Sequence, residues 1–532
     1  MGGLRPPKNN MAHLRIQLFC CLLGLVALVP LSAARARPLF TWEPPLRLSD
    51  PATSTIAFAP DLTVDGDGRI HVIWSGVLNR TNERTRLADT LMYRMRVDGV
   101  WSTLEPIVLR ERRSSGDTSS PLVSDAAMDN PRFAVLGRLV SAPDARLHIV
   151  TTTDGRQQYL QAPWNEVVRM ALLLPPVELG TGSATAIASD PNGTLHVVFA
   201  APAQRSGPGA QPCAACQNVR YRRSTDGGLT WTRAENLSLL DGTNLAPQIG
   251  ADDLGQIHLL WEYQGSGQPG EAALPIYRRS ADGGQRWEAP IPLGVPDDWL
   301  SQVTLGIGRG GQLLALYASA TSGTLFFQSS NDGGQTWSQP GLVPEVISSA
   351  LTPTSGRRFS LAVDGAGRFH LLVVGVAPIT GVTEQQLWHL TWDGRNWSLP
   401  EPLPVEGTAP RDPRLAVERG NRLHAVWTTT EVDDEKGAYQ TIWYSSVSVD
   451  APEVAPLPTF TPIPKILPTP TPIPTPRPTP TPLPDESRNR PVIEGPPRWE
   501  GESLEILFIA FLPVLLIIAV VAWWFRRNSR SG

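Results

Sequence analysis

Two neighbouring arginine-rich stretches form the densest positive charge in the sequence. Guanidinium groups hold carboxylates and anionic glycans through paired hydrogen bonds, so the stretches are candidate ligand contacts. Arginine is also this chain's default cation, since lysine is scarce, and ordinary loop surface is the alternative for every member. The candidates are Arg80, Arg84 and Arg86 in one stretch and Arg110, Arg112 and Arg113 in the other.

Two acidic stretches are further candidates. Asp297 and Asp298 precede Trp299, an aromatic ring that could stack on a sugar. Asp433 and Asp434 lie in the densest acidic loop, where a cation or a partner could bind. The alternative in both places is solvated loop surface.

Cys213 and Cys216 are the only cysteines left if an N-terminal signal containing Cys20 and Cys21 is removed. In a secreted chain the spacing Cys-Ala-Ala-Cys favours a local disulfide that pins a long loop. Zinc would need two more ligands nearby, and a thioredoxin-like redox role would need a βαβ unit. We therefore expect no metal and no cofactor.

The chain has 532 residues and a net charge of −4, without a basic stripe, so no nucleic-acid partner is expected. Residues 1–36 resemble a secretory signal peptide. They have a basic start, an apolar core over residues 16–31 and a cleavage site at Ala34-Arg35-Ala36. An uncleaved N-terminal anchor is the alternative.

The C-terminal region predicts a membrane anchor. Residues 504–525 are apolar over a length that crosses a bilayer, and the arginine-rich residues 526–532 follow as a cytoplasmic tail. Residues 451–503 form a Pro/Thr-rich linker, which favours an extended polyproline stalk. The expected plan is an extracellular head over residues 41–450, on a single-pass stalk in the cell membrane.

Within the head, one turn motif recurs. It reads STDGGLTW over residues 224–231, SADGGQRW over 280–287 and SNDGGQTW over 330–337, with a degraded copy ending at Trp397. The glycines accept positive φ, the Asp accepts backbone N–H groups, and the Trp is expected to fold back beneath the turn. The residues given this structural role are Asp226, Trp231, Asp282, Trp287, Asp332, Trp337, Asp393 and Trp397.

This Ser-x-Asp-x-Gly-x-x-Trp motif resembles the Asp box, or BNR repeat, of sialidases and related β-propellers. The resemblance covers residues 41–450 and implies an all-β propeller of four-stranded blades. In that family the boxes lie on the rim, away from the active site, so the resemblance implies fold more than chemistry.

A second pattern, an apolar strand followed by an Asp/Gly turn and another strand, precedes each box. Its copies begin near residues 64, 141, 188, 251, 306, 363 and 417, which predicts seven blades. Six blades is the alternative, because sialidases have six and the second unit is the least regular. Residues 42–48, WEPPLRL, resemble residues 287–293, so we expect the N-terminal strand to complete the last blade.

Six histidines occupy one column of this repeat. Because they lie around the ring and do not converge, a structural role is expected. They are His71, His148, His196, His258, His370 and His424, with Leu314 in the remaining copy.

The repeat also predicts where a ligand would bind. The tight turns fall on one face, whereas the long, unequal connections fall on the other, where binding loops are expected near the central channel.

Catalysis is not indicated by the residues. Sialidases use three arginines, the first in an Arg-Ile-Pro or Arg-Leu-Pro motif, and this chain has neither. Pro131-Arg132-Phe133 and Pro413-Arg414-Leu415 come nearest but are interpreted as first-strand repeats. The expected function is binding of an extracellular glycan or protein without catalysis. The alternative is an exo-α-sialidase or another glycoside hydrolase with a diverged site.

Overall fold

The structure is a computed structural model. It describes residues 2–3, 40–54, 56–79, 87–111, 135–203, 216–238, 242–265, 273–295, 298–348, 357–433, 437–456 and 459. The chain divides into two compact units, residues 1–463 and 464–532, and every described residue belongs to the first. The predicted signal peptide core and transmembrane helix lie outside the described residues, as does the linker beyond residue 459. None of the described helices is long and apolar enough to cross a membrane.

The described chain is almost entirely β-strand, with short 3₁₀ helices at Met170–Leu172 and Pro378–Thr380. The strands are β1 (Leu46–Arg47), β2 (Ala57–Val64), β3 (Ile70–Asn79), β4 (Leu87–Val97), β5 (Val100–Trp101), β6 (Glu105–Glu111), β7 (Leu136–Ala142), β8 (Arg146–Thr153), β9 (Arg156–Pro163), β10 (Val177–Thr181), β11 (Ser183–Ser189), β12 (Leu195–Pro202), β13 (Gln217–Ser224), β14 (Glu235–Asn236), β15 (Asn244–Ala251), β16 (Ile257–Tyr263), β17 (Leu274–Ser280), β18 (Ile291–Pro292), β19 (Leu300–Ile307), β20 (Leu313–Ser319), β21 (Thr324–Ser330), β22 (Gly341–Ile347), β23 (Phe359–Val363), β24 (Phe369–Gly375), β25 (Gln386–Trp392), β26 (Glu401–Pro402), β27 (Thr408–Glu418), β28 (Arg422–Asp433) and β29 (Gly437–Ser448).

These strands form seven antiparallel sheets, the blades of a propeller. Blade one is β2-β3-β4-β5 with β6 also paired to β4, and blades two to six take the following strands in fours. Blade seven is β27-β28-β29-β1. The first strands of neighbouring blades contact one another around a closed ring, including β27 with β2. The all-β propeller of seven four-stranded blades is therefore confirmed, and the six-blade alternative is wrong.

The N-terminal strand closes the ring as expected. Leu46 lies opposite Tyr444 and Arg47 opposite Trp443, in an antiparallel pair. The Leu48 amide then donates to the Ile442 carbonyl at 2.8 Å, and the Leu48 side chain is fully buried. Closure removes the exposed edge that β29 would otherwise present.

The repeated histidines tie strands together within each blade. In blade one, His71 Nδ1 lies 2.8 Å from the Tyr93 hydroxyl and Nε2 lies 3.1 Å from the Asp65 carboxylate. The same arrangement recurs in five more blades, with His389 replacing the Tyr in blade six and Glu418 replacing the Asp in blade seven. Each histidine is buried, so its ring joins the first turn to the third strand.

The recurring Asp turns are held by their own side chains. Asp226 Oδ1 accepts hydrogen bonds from the Ser224 hydroxyl and the Thr230 amide, both at 2.8 Å. The Trp231 ring donates to the Gly228 carbonyl at 3.1 Å and packs edge-on against Tyr159 of the preceding blade. The Trp therefore lies against its own turn, as expected, and also seals the seam to the next blade, which was not expected.

Similar turns occur in later blades. Asp282 and Asp332 are hydrogen-bonded in the same way, and Trp287 and Trp337 pack against tyrosines of the preceding blades. The degraded copy differs, since Asp393 accepts the amides of residues 395 and 396 and Trp397 packs against Phe327.

Candidate anion-binding site in the central channel

Most of the loop residues singled out in the sequence fall outside the described residues. These are Arg84, Arg86, Arg112, Arg113, Asp297 and Asp434. Arg80 lies outside as well, whereas Arg110 is described and lies 2.5 Å from Asp154 and 3.6 Å from Asp89. Nothing in the described part of the chain gathers these candidates into one site.

The other loop candidates occupy separate blades. Asp298 Oδ1 accepts hydrogen bonds from the Trp299 amide at 2.7 Å and the Ser319 hydroxyl at 3.0 Å, so this carboxylate holds its own loop. Trp299 is 45% exposed beside the start of β19 in blade five. Asp433 pairs with Gly437 at the tip of the β28–β29 hairpin of blade seven.

Cys216 forms a disulfide, while its expected partner Cys213 lies outside the described residues. Among the residues that the structure describes, no group of His, Cys, Asp and Glu side chains is placed to hold a metal ion.

The structure instead brings together three arginines that are far apart in sequence. Arg138 lies on β7, Arg414 on β27, and Arg357 two residues before β23. The first strands surround the central channel of the propeller. We call the end of the channel at which these strands begin the channel mouth, and the three side chains the inner arginines.

Two carboxylates lie among the inner arginines. Arg414 Nε donates to Asp61 Oδ1 at 3.0 Å, and Asp61 Oδ2 accepts the Leu139 amide at 3.1 Å. Asp61 on β2 thus links blades seven, one and two. This ion pair also has a structural role, because it spans the seam where the ring closes.

The second carboxylate positions Arg357. The Arg357 amide donates to Asp412 Oδ1 at 2.8 Å, and the Asp412 amide donates to the Arg357 carbonyl at 2.9 Å. Asp412 has a φ of +52° between two register shifts of β27, and such a bulge re-aims side chains. The backbone of Arg357 is fixed, whereas its guanidinium makes no hydrogen bond to the described residues.

Electrostatics shows that this group carries excess positive charge. Burial lowers the pKa of Arg357 well below its ordinary value, and Arg414 and Arg138 lower it further against the opposing effect of Asp61 and Asp412. The pKa of Arg138 falls to about 10, again through burial first and then Arg414. A bound anion would favour the charged form of each guanidinium. Perturbed groups of this kind concentrate at functional sites.

The opposite wall of the mouth contains a buried carboxyl group. Glu262 Oε1 accepts the Gln302 amide at 2.8 Å, and the Gln302 side chain accepts the Arg358 amide at 3.2 Å. Burial raises the pKa of Glu262, although hydrogen bonds from the Gln302 and Val303 amides and the charge of Arg357 oppose the rise. Glu262 therefore holds the bulged start of β19.

The sequence contained one signal for this site. Residues two positions after each column histidine pair, on the first strand, with one equivalent residue per blade. Those equivalent residues are Asp61, Arg138, Ala186, Gln248, Thr304, Ser360 and Arg414. Aligning this position would have shown three charged side chains from blades that meet at the ring closure. Interpreting Arg414 as only a strand repeat missed this.

No protein-family model matches the chain, and no curated protein matches it. Solved structures with a similar fold include a protein of unknown function from Dyadobacter fermentans, at 13% identity and a TM-score of 0.46, covering 77% of this chain and 100% of that one. The NanB sialidase of Streptococcus pneumoniae is 11% identical, with a TM-score of 0.42, covering 80% and 72%. A Penicillium chrysogenum α-L-arabinanase complexed with arabinobiose is 13% identical, with a TM-score of 0.40, covering 76% and 98%.

Proposed function

We propose that this propeller binds an acidic glycan outside the cell, through a carboxylate held by the inner arginines, and does not cleave it. The observation that carries the proposal is Arg357. Its backbone is fixed by Asp412, its guanidinium makes no hydrogen bond to the described residues, and two further arginines crowd it. A ligand carboxylate would accept its N–H groups and offset the excess charge.

A purely structural role explains only part of the group. The Arg414–Asp61 ion pair joins blades and would be kept for closure alone. Arg357 makes no such link with its side chain. Holding a third guanidinium here costs stability, because burial and like charges both disfavour it.

The absence of cleavage is proposed from the work that the nearby carboxylates already do. Glycoside hydrolases need two carboxyl groups that face the scissile bond from opposite sides. In the described part of the mouth, Asp61 holds Arg414 and a backbone amide, Asp412 holds the Arg357 backbone, and Glu262 holds the start of β19. Binding therefore requires no change in their hydrogen bonds.

The extracellular placement follows from the sequence, through the predicted signal peptide, proline-rich stalk and C-terminal anchor. Display of the full-length chain at the surface of intact cells would test it. Protease added outside should remove the propeller while sparing a tag after residue 532, and resistance of the propeller would contradict this placement.

Isothermal titration calorimetry of the detergent-solubilised full-length protein tests the binding site. We expect sialyllactose to bind and neutral lactose not to bind. Arg357→Gln should weaken sialyllactose binding by about 10- to 150-fold, the equivalent of a charge-assisted hydrogen bond of about 1.5–3 kcal/mol. Arg395→Gln, an exposed arginine in the Asp turn of blade six, is the matched control.

Stability separates a binding role for Arg357 from a structural one. Because Arg357 is electrostatically crowded, Arg357→Gln should keep or slightly raise the unfolding midpoint while binding is lost. Equal binding of lactose and sialyllactose, or unchanged binding by Arg357→Gln, would contradict the proposal. Release of fluorophore from a 4-methylumbelliferyl sialoside would favour the hydrolase alternative.

A further inference from the structure

A second pair of arginines, Arg358 and Arg411, lies beside the inner arginines at the channel mouth. Asp412 is next to Arg411 in the chain, and its carboxylate caps the amide of Arg357, the neighbour of Arg358. We call this pair the outer arginines. The mouth thus combines five guanidinium groups with the carboxylates of Asp61 and Asp412.

Strand geometry separates the two groups of arginines. Successive side chains of an extended strand point to opposite faces, so Arg357 and Arg358 diverge. Arg358 lies on the same side as Ser360, whose hydroxyl accepts the Leu415 amide of blade seven at 3.1 Å. Arg358 therefore faces the seam between blades six and seven, whereas Arg357 joins Arg138 and Arg414 at the channel.

The protein positions both outer side chains with neutral partners. Arg358 donates from its terminal nitrogen to Gln385 Oε1 at 3.3 Å. Arg411 donates to the Thr430 hydroxyl at 3.3 Å, at the base of the long blade-seven hairpin. These contacts orient the guanidiniums without neutralising them.

Donors remain unused in each group. Arg138 Nε and Arg358 Nε are buried and have no hydrogen-bond partner among the described residues. Unsatisfied buried donors are costly, and those of a charged group are the most costly. Each group can therefore receive an acceptor that the described protein does not supply.

We propose that the channel mouth holds two anion positions, and that its ligand is a glycan with acidic groups on at least two sugar residues. The inner arginines bind one carboxylate and the outer arginines bind the next. This inference rests on the proposed function, since it assumes that the inner arginines bind a glycan carboxylate. It goes further by requiring a repeating acidic chain and not a single terminal acid.

Galacturonate and digalacturonate are the probes, titrated into the detergent-solubilised full-length protein by calorimetry. We expect digalacturonate to bind more than about 10-fold tighter than the monomer, since the second carboxylate gains charge-assisted hydrogen bonds of its own. Arg358→Gln should reduce this advantage to the ratio given by the number of carboxylates alone, without changing the affinity for the monomer. Arg357→Gln should weaken both ligands.

Two controls make the result specific. Arg411→Gln repeats the test from blade seven, in case Arg358→Gln alters folding. Digalacturonate carrying a methyl ester on one carboxyl keeps the sugar contacts and removes one charge, so it should bind like the monomer.

The outcomes distinguish this inference from the proposed function. Monomer binding that depends on Arg357, with no advantage for the dimer, overturns the two-position inference and leaves the proposed function standing. An advantage that persists in the ester, or in both outer variants, also overturns it, because neutral sugar contacts would then explain the gain. Failure of every probe to bind overturns both.

Discussion

Replacing Leu48 with alanine should destabilise the propeller strongly, because this one side chain anchors the strand that closes the ring. Leu48 is fully buried against Trp74 of blade one and Ile442 and Tyr444 of blade seven. Its strand, β1, has only two paired residues. The N-terminal segment therefore depends on side-chain burial more than on its backbone ladder.

The magnitude follows from the atoms removed. Leu→Ala deletes three carbons, worth roughly 0.8 kcal/mol each in transfer free energy, or about 2.4 kcal/mol in total. The cavity left between two blades adds to this, since aromatic rings on either side cannot collapse into it. We expect the free energy of unfolding to fall by about 3–5 kcal/mol, at the upper end of measured buried Leu→Ala changes.

Urea unfolding of the full-length protein, followed by tryptophan fluorescence, measures the effect. Leu46→Ala is a matched control, since Leu46 lies on the same strand but is 46% exposed, and should change stability by less than about 0.5 kcal/mol. A double-mutant cycle with Ile442→Ala should show coupling, because the two residues belong to one cluster across the closure.

Equal effects of Leu46→Ala and Leu48→Ala would refute this reasoning, as would additivity of Leu48→Ala and Ile442→Ala. Either result would mean that β1 does not pack into the last blade in solution. The ring would then be closed by contacts between first strands alone.

Three further predictions concern the repeats. Gly334→Ala should cost about 2–5 kcal/mol in urea unfolding, from a φ of +81° and a clash with a tyrosine of the preceding blade, whereas Gly394→Ala, with positive φ and open space, should cost only about 1–2 kcal/mol; equal losses would contradict the clash. The Thr336 hydroxyl and amide lower the pKa of Asp332 to about 2, so its stabilisation is complete above about pH 4 and is lost as the pH falls towards 2; Asp332→Asn should flatten that acid limb, and an unchanged limb would refute the assignment. Burial lowers the pKa of His389 well below 6.5, so the unfolded chain takes up the proton first and stability falls as the pH drops below about 6.5; His389→Tyr, which restores the partner found in other blades, should reduce this fall between pH 7.5 and 5.5, and an equally steep fall would count against it.

The fold could be predicted because its determinants are local and repeated. Asp-Gly turns, period-two strands and a Trp at constant spacing specify each blade, and every copy adds to the same pattern. Even the long-range closure was visible, because WEPPLRL at the start resembles the end of a later blade. The column of histidines could likewise be assigned to structure, since equivalent positions of a ring cannot converge.

The candidate site could not be predicted in the same way. Charged surface loops such as Arg84 and Asp433 stood out in the sequence, although loop charge is ordinary and nothing in the described chain gathers them. Arg138, Arg357 and Arg414 attracted little notice, because each is a single polar residue at the start of an otherwise regular strand.

The sequence by itself determined the blade, its turns, the number of repeats and the strand that joins the two ends. Only the tertiary structure decided which side chains share the channel. The physical reason is that local hydrogen bonding and hydrophobic alternation act within one blade, whereas the arginines come from blades two, six and seven. They approach one another only after ring closure places the last blade beside the first.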